Sequence, residues 1–160
     1  MLRNILFSMM FFITNLYADN TIGLIENSNG SWDITYTSEE TFSGFQFNVD
    51  GAEIGNAYGG DAAASGFLIN ANGNTVLGFS LTGATIAAGS GTLLVMDLDG
   101  MPTGLSNIVI ADPSGNAIDF VYDSGVVNGC TDMNACNYDS DATADDGSCD
   151  YGTMCWDGSY

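Results

Sequence analysis

The chain has 160 residues, of which 20 are acidic, one is basic and none is histidine, for a formal net charge of −19. Without histidine it has no Ser-His-Asp or Cys-His relay and no imidazole ligand for zinc or iron. With Arg3 as its single basic residue, it has no clamp for phosphate or nucleic acid, and anionic membranes would repel it.

The first 18 residues have the pattern of a secretory signal peptide. Arg3 forms a short basic region, residues 5–16 are mostly apolar, and Ala18 is a small residue suited to cleavage. An uncleaved N-terminal anchor is the alternative, and both place the rest of the chain outside the cytoplasm. All 20 acids follow this segment and no base does, so self-repulsion must be offset by salt or bound cations. We expect a secreted or cell-surface protein.

Residues 19–127 contain no cysteine and predict an all-β domain. The runs Ile22–Glu26 and Trp32–Tyr36 flank Asn29-Gly30, which favours a hairpin with a tight primed turn. The segment SGFQFNVD alternates cleanly and places its three apolar side chains on one face. Further strands are predicted at FLINA, TVLGFSL, GTLLVMDL, SNIVIAD and AIDFVYD.

Strands recurring every ~8–12 residues between turns indicate a β-sandwich. A region of this length can bury a core. The candidate core residues are aromatic or large aliphatic: Trp32, Phe45, Phe47, Phe67, Leu77, Phe79, Leu93, Val95, Ile108, Ile110 and Phe120.

Three patches of this region resemble the cohesin-like β-sandwich family, which is related to carbohydrate-binding modules. They are SGFQFNVDGAEI, TVLGFSLTGATIAAGSGTLLVM and LSNIVIADPSGNAIDF, within residues 20–124. The resemblance implies an antiparallel jelly-roll sandwich of a secreted or surface protein, without catalytic residues. Cohesins bind dockerin modules of partner enzymes. This chain contains no visible dockerin, so the identity of a partner does not carry over.

Residues 128–160 predict a second, loop-rich unit that holds all four cysteines. The segment Gly129–Tyr151 resembles a repeat of the form GCTDxxACNYDxxATxDDGSCxY, found in secreted, largely marine bacterial surface proteins. Cys155 to Tyr160 looks like the start of a further unit, which predicts a truncated repeat.

Cysteines in an exported chain favour disulfides. Four cysteines can pair in three ways. Cys130 and Cys149 bracket the unit, so we favour Cys130–Cys149 and, with it, Cys136–Cys155. A unit this small cannot fold on apolar burial alone, and closing the first loop should contribute about 3 kcal/mol.

The acidic side chains of this unit are candidate calcium ligands: Asp132, Asp139, Asp141, Asp145 and Asp146. Oxygen donors alternating along a turn-rich loop suit a hard cation. The EF-hand pattern is not met, because Ala144 stands where that loop needs glycine. The alternative is that the carboxylates face water and cap N–H groups in Asx-turns. Asp97 and Asp99 form a second, weaker candidate.

These features predict a non-catalytic binding or adhesion module that contacts an extracellular protein or polysaccharide, with an acidic, calcium-binding spacer. One alternative is a structural subunit of a surface layer or filament, built by strand addition at a sheet edge. Another is a glycoside hydrolase, which needs two carboxylates. Glu26, Glu39, Glu40 and Glu53 are the only glutamates.

Overall fold

The computed structural model describes residues 20–152, so the predicted signal peptide and Cys155 lie outside the described residues. The elements are β1 (Thr21–Glu26), β2 (Trp32–Ser38), β3 (Gly44–Tyr58), α1 (Gly60–Ala64), β4 (Leu68–Asn72), β5 (Thr75–Phe79), β6 (Gly89–Ala111), β7 (Ala117–Ile118), β8 (Val121–Asp123), β9 (Asn128–Gly129) and β10 (Ala144–Asp145). Within the described part of the chain, no helix is long and apolar enough to cross a membrane.

The larger sheet has the strand order β4-β5-β3-β6-β2-β1-β8, with β7 paired to β6. Its pairs are antiparallel except β1–β8, which is parallel. The long strands β3 and β6 pair with each other, and the register shifts after Gln46, Asp50 and Ile54. Bulges of this kind bend strands. The sheet therefore folds back on itself across β3 and β6, so that each of these strands begins in one layer and ends in the other.

The folded sheet forms two layers. Layer A contains β4, β5, the first half of β3, the second half of β6, and β7. Layer B contains the second half of β3, the first half of β6, β2, β1 and β8. Phe47 and Ile110 from layer A and Ile22 and Ile34 from layer B belong to one buried cluster. The predicted all-β sandwich is confirmed.

The core follows the alternation of each strand. Phe45, Phe47 and Val49 are buried, as their spacing on β3 predicts. On β6, both Leu93 and Leu94 are fully buried, because the register with β2 shifts at that point and one extra residue is accommodated.

Five of the predicted core residues are buried: Phe45, Phe47, Phe67, Leu93 and Ile110. The others were assigned by hydrophobicity without regard to strand face. Leu77 is 40% exposed, because it alternates with buried Val76 and lies on the outer face of β5. Trp32, Phe79, Val95, Ile108 and Phe120 are only half-buried.

The β1–β2 hairpin forms as predicted, but its turn differs. A primed two-residue turn needs positive φ at both central residues, and in this loop only Gly30 has one, at 84°. Asn27 accepts from Gly30 N–H at 2.9 Å and donates to Ser31 at 2.8 Å. The Asn29 side chain accepts hydrogen bonds from both the N–H and hydroxyl groups of Ser31. This local Asx-type bonding competes with the primed turn.

Two predicted strand boundaries also differ. GTLLVMDL and SNIVIAD belong to one continuous strand, β6. AIDFVYD is divided into β7 and β8, because the chain passes from layer A to layer B at Asp119 and Phe120.

The C-terminal unit is small and loop-rich. Its two short strands, β9 and β10, pair in parallel. The Cys130–Cys149 disulfide is present as predicted. No described cysteine is free, but Cys155 lies outside the described residues, so the Cys136–Cys155 pairing stays a prediction.

Candidate functional sites

The predicted calcium ligands are engaged in closing turns. Four of the five accept a hydrogen bond from the backbone N–H two residues later: Asp132 from Asn134, Asp139 from Asp141, Asp145 from Gly147 and Asp146 from Ser148, at 2.9 to 3.0 Å. Asp141 is exposed and supplies the N–H for Asp139. This arrangement is the Asx-turn alternative considered from the sequence.

Hydrogen bonding holds two of these carboxylates in the charged form. The backbone N–H of Asn134, followed by the Tyr151 hydroxyl, lowers the pKa of Asp132. The same hydroxyl contact, at 2.8 Å, raises the pKa of Tyr151. Hydrogen bonds from the Ser148 side chain and backbone lower the pKa of Asp146. These carboxylates therefore close turns over the whole neutral pH range.

Within residues 20–152, no three Asp, Glu or Cys side chains are grouped so that they could hold a metal ion. The five predicted ligands are thus not assembled around one point, and neither are Asp97 and Asp99 with a third acid. Calcium binding stays a prediction, and the turn-capping geometry is what these residues display.

The four glutamates are exposed and lie at three separate places in the fold. Glu26 ends β1, Glu39 and Glu40 follow β2, and Glu53 lies on β3 opposite Asp99. None of them lines the hollow described next. The carboxylate pair that glycoside hydrolysis needs is therefore not assembled in that concave site.

Sequence reasoning missed an apolar surface on the solvent side of layer A, which we call the outer face. Two rows of residues cross its four strands β4, β5, β3 and β6 in that order. The first row is Leu68, Phe79, Gly44 and Ala111, and the second row is Asn70, Leu77, Gln46 and Val109. The exposed fractions of Leu68, Leu77 and Val109 are 50%, 40% and 51%. The sequence contains a signal for this surface, because both alternating sets of residues in TVLGFSL are apolar. Only one set of a strand can face the core, so the other must be apolar on the solvent side.

A shallow hollow of about 220 Å³ lies in the outer face and is lined by residues including Gly44, Leu77, Phe79 and Val109. It lies over Gly44 because that residue has no side chain between Phe79 and Ala111. Methyl and phenyl groups thus surround a depression on an otherwise regular sheet surface.

Charge is distributed unevenly around this face. The stretch from Ala62 to Met96 contains no charged residue, and it includes β4 and β5. Acids lie at the margins instead. Asp50 accepts a hydrogen bond from Ser106 at 2.8 Å, and Asp112 directly follows Ala111. The outer face is therefore an uncharged apolar area in an acidic molecule.

No protein-family model matches the chain, and no match was found among curated proteins. Solved structures that are similar in fold include the following two. A non-cellulosomal cohesin from the hyperthermophilic archaeon Archaeoglobus fulgidus is 15% identical with a TM-score of 0.49, covering 66% of this chain and 86% of that chain. A chain in the crystal structure of the CaDoc0917–CaCohA2 complex is 11% identical with a TM-score of 0.46, covering 65% of this chain and 94% of that chain.

Proposed function

We propose that the chain is a non-catalytic, extracellular protein-binding module that contacts its partner through the outer face of layer A. The observation that carries this proposal is the exposure of Leu68, Leu77 and Val109 around the hollow at Gly44. Contiguous apolar area on a sheet surface is a feature of interaction sites. An apolar anchor of a partner would fill the hollow and release water from it.

The charge pattern defines the chemistry of this partner. After Arg3 the chain has no basic residue, so it cannot neutralise acidic groups of another protein. Asp50 and Asp112 flank the outer face. A partner with an apolar centre and lysine or arginine at its margin would match both parts of the surface.

The C-terminal unit serves in this proposal as an acidic spacer tied by Cys130–Cys149. The disulfide supports an oxidising compartment and therefore an extracellular location. Asx-turns support a spacer that is rigid without a cation. Calcium binding and glycan contact remain predictions from the sequence.

The test compares two baits in a pull-down from the secreted proteins of the source organism. Leu77→Asp/Val109→Asp changes the outer face. Ile25→Asp/Val121→Asp is the matched control, because both of its side chains are 55% exposed on layer B. We expect a partner that the wild type and the control variant retain and the outer-face variant loses. Added salt should weaken the binding of this partner.

Two results would contradict the proposal. One is a set of retained proteins that is the same for both variants. The other is hydrolysis of a polysaccharide by the purified protein that persists in the Leu77→Asp/Val109→Asp variant and is lost in a Glu53→Gln variant.

A further inference from the structure

Strand β4 lies at one end of the larger sheet and, in the described part of the chain, pairs with β5 alone. A two-residue turn at Gly73-Asn74 joins these strands, so the pair Asn72–Thr75 closes the hairpin. Hydrogen-bonded pairs alternate along an antiparallel ladder. Leu68, Asn70 and Asn72 thus bond to β5, and Ile69 and Ala71 point their N–H and C=O groups away from it.

The other edge strands of the larger sheet, β7 and β8, resist further pairing in ways that β4 does not. β7 and β8 have two and three residues, and Asp119 and Asp123 accompany them. β4 has five residues, its register with β5 is continuous, and it contains neither proline nor a charged residue. Short strands, charges, prolines and bulges are the usual protections of a sheet edge. The residues of β4 itself carry none of these four features.

The absence of charged residues on β4 indicates which kind of partner strand can pair with it. A basic partner would gain more by docking beside carboxylates, which the molecule offers in many places. A partner that is itself strongly acidic meets the least repulsion where charge is absent. Between Ala62 and Met96 there is no charged residue, and a second copy of this chain carries the same negative charge. We propose that two copies pair antiparallel through their β4 strands.

The pairing is self-complementary when it is centred on Asn70. Ile69 of one copy then lies opposite Ala71 of the other, and all the outward N–H and C=O groups of these residues are paired. Asn70 then lies opposite Asn70 of the second copy in a pair without backbone hydrogen bonds, in which the two side chains are closest. The two side-chain amides can hydrogen-bond to each other there. The two-fold symmetry closes the assembly as a dimer.

Sedimentation equilibrium of the full disulfide-bonded chain tests this inference. We expect a monomer–dimer equilibrium that shifts toward dimer as NaCl is added, because salt screens the repulsion between two acidic copies. Asn70→Asp is nearly isosteric at an exposed position and sets two carboxylates opposite each other. It should raise the dimer dissociation constant about fivefold at low salt, and less at high salt. Gln46→Glu makes the same charge change on the central strand β3 and should have a smaller effect.

Ala71→Pro gives a second test, because it removes an outward N–H donor from each copy and leaves the hydrogen bonds to β5 intact. We expect this variant to be monomeric with an unchanged thermal midpoint. A wild type that remains monomeric at millimolar concentration in molar NaCl would overturn the inference. So would a dimer that Asn70→Asp and Gln46→Glu weaken equally, or one that a folded Ala71→Pro variant retains. Partner binding through the outer face is measured separately and does not depend on these results.

Discussion

Gly78 on β5 lies directly opposite Phe45 on β3, and the absence of a side chain at Gly78 leaves room for the Phe45 ring. A methyl group at Gly78 would overlap three carbons of that ring. The ring cannot simply move, because Phe47 and Phe67 stack near it with centroids 6.1 Å away and its exposed fraction is 2%. We expect Gly78→Ala to destabilise the sandwich.

The magnitude follows from two opposing contributions. Overpacking a filled core costs about 1–3 kcal/mol. Replacing glycine by alanine at an accessible φ restores about 0.4–1 kcal/mol by restricting the unfolded chain. The net loss in the free energy of unfolding should be about 1–2 kcal/mol. Gly44→Ala is the matched control on the outer face, where the added methyl group would meet only the Gly78 carbonyl at 3.6 Å, and it should be neutral or slightly stabilising.

Urea unfolding followed by tryptophan fluorescence measures both variants. In a Phe45→Leu background the smaller side chain leaves space, so the cost of Gly78→Ala should fall below about 1 kcal/mol. Equal stabilities of the Gly44→Ala and Gly78→Ala proteins would refute the steric explanation. So would a cost of Gly78→Ala that is unchanged in the Phe45→Leu protein.

Three further outcomes are expected. Burial, together with the 2.8 Å hydrogen bond to Asp61, raises the pKa of Tyr36 from 10.0 to about 12. The protonated phenol therefore stabilises the folded state fully below pH 10, and this contribution is lost as pH rises from 10 to about 12. In urea unfolding, the free energy of unfolding of Tyr36→Phe should fall less steeply over this pH range than that of the wild type. Replacing Cys130 and Cys149 by serine should remove about 3 kcal/mol from the C-terminal unit, seen as faster proteolysis there with an unchanged thermal midpoint of the sandwich. Calorimetry of the full chain with millimolar CaCl₂ tests the calcium site predicted from the sequence: saturable heat would establish it, and no saturable heat would leave turn closure as the role of Asp139 and its neighbours.

Strand positions were predictable where alternation is local. The alternation from Gly44 to Asp50 predicts correctly which side chains are buried. A strand with one buried face shows its orientation in its own sequence. Leu77 and Phe79 were misassigned because both faces of β5 are apolar. Which series faces inward depends on the register with β3, which is a non-local pairing.

The disulfide was predictable because the unit is too small to fold without a covalent link. The turns around Asp132 and Asp145 were foreseen only as one of two alternatives. A sequence of spaced aspartates is compatible with a shared cation or with separate Asx-turns. The choice depends on whether the loop brings the carboxylates together. In the structure each of these carboxylates instead accepts a hydrogen bond from the backbone N–H two residues later.

The sequence by itself determined the electrostatic character of this protein. With 20 acids and one base, it excludes basic and imidazole chemistry whatever the fold. Tertiary structure alone decided the location of the surfaces free of charge. Folding β3 and β6 back on themselves turns Leu77 and Val109 outward on either side of Gln46 and leaves β4 at the sheet edge. Strand order and register arise from contacts between distant segments, and no local pattern encodes them.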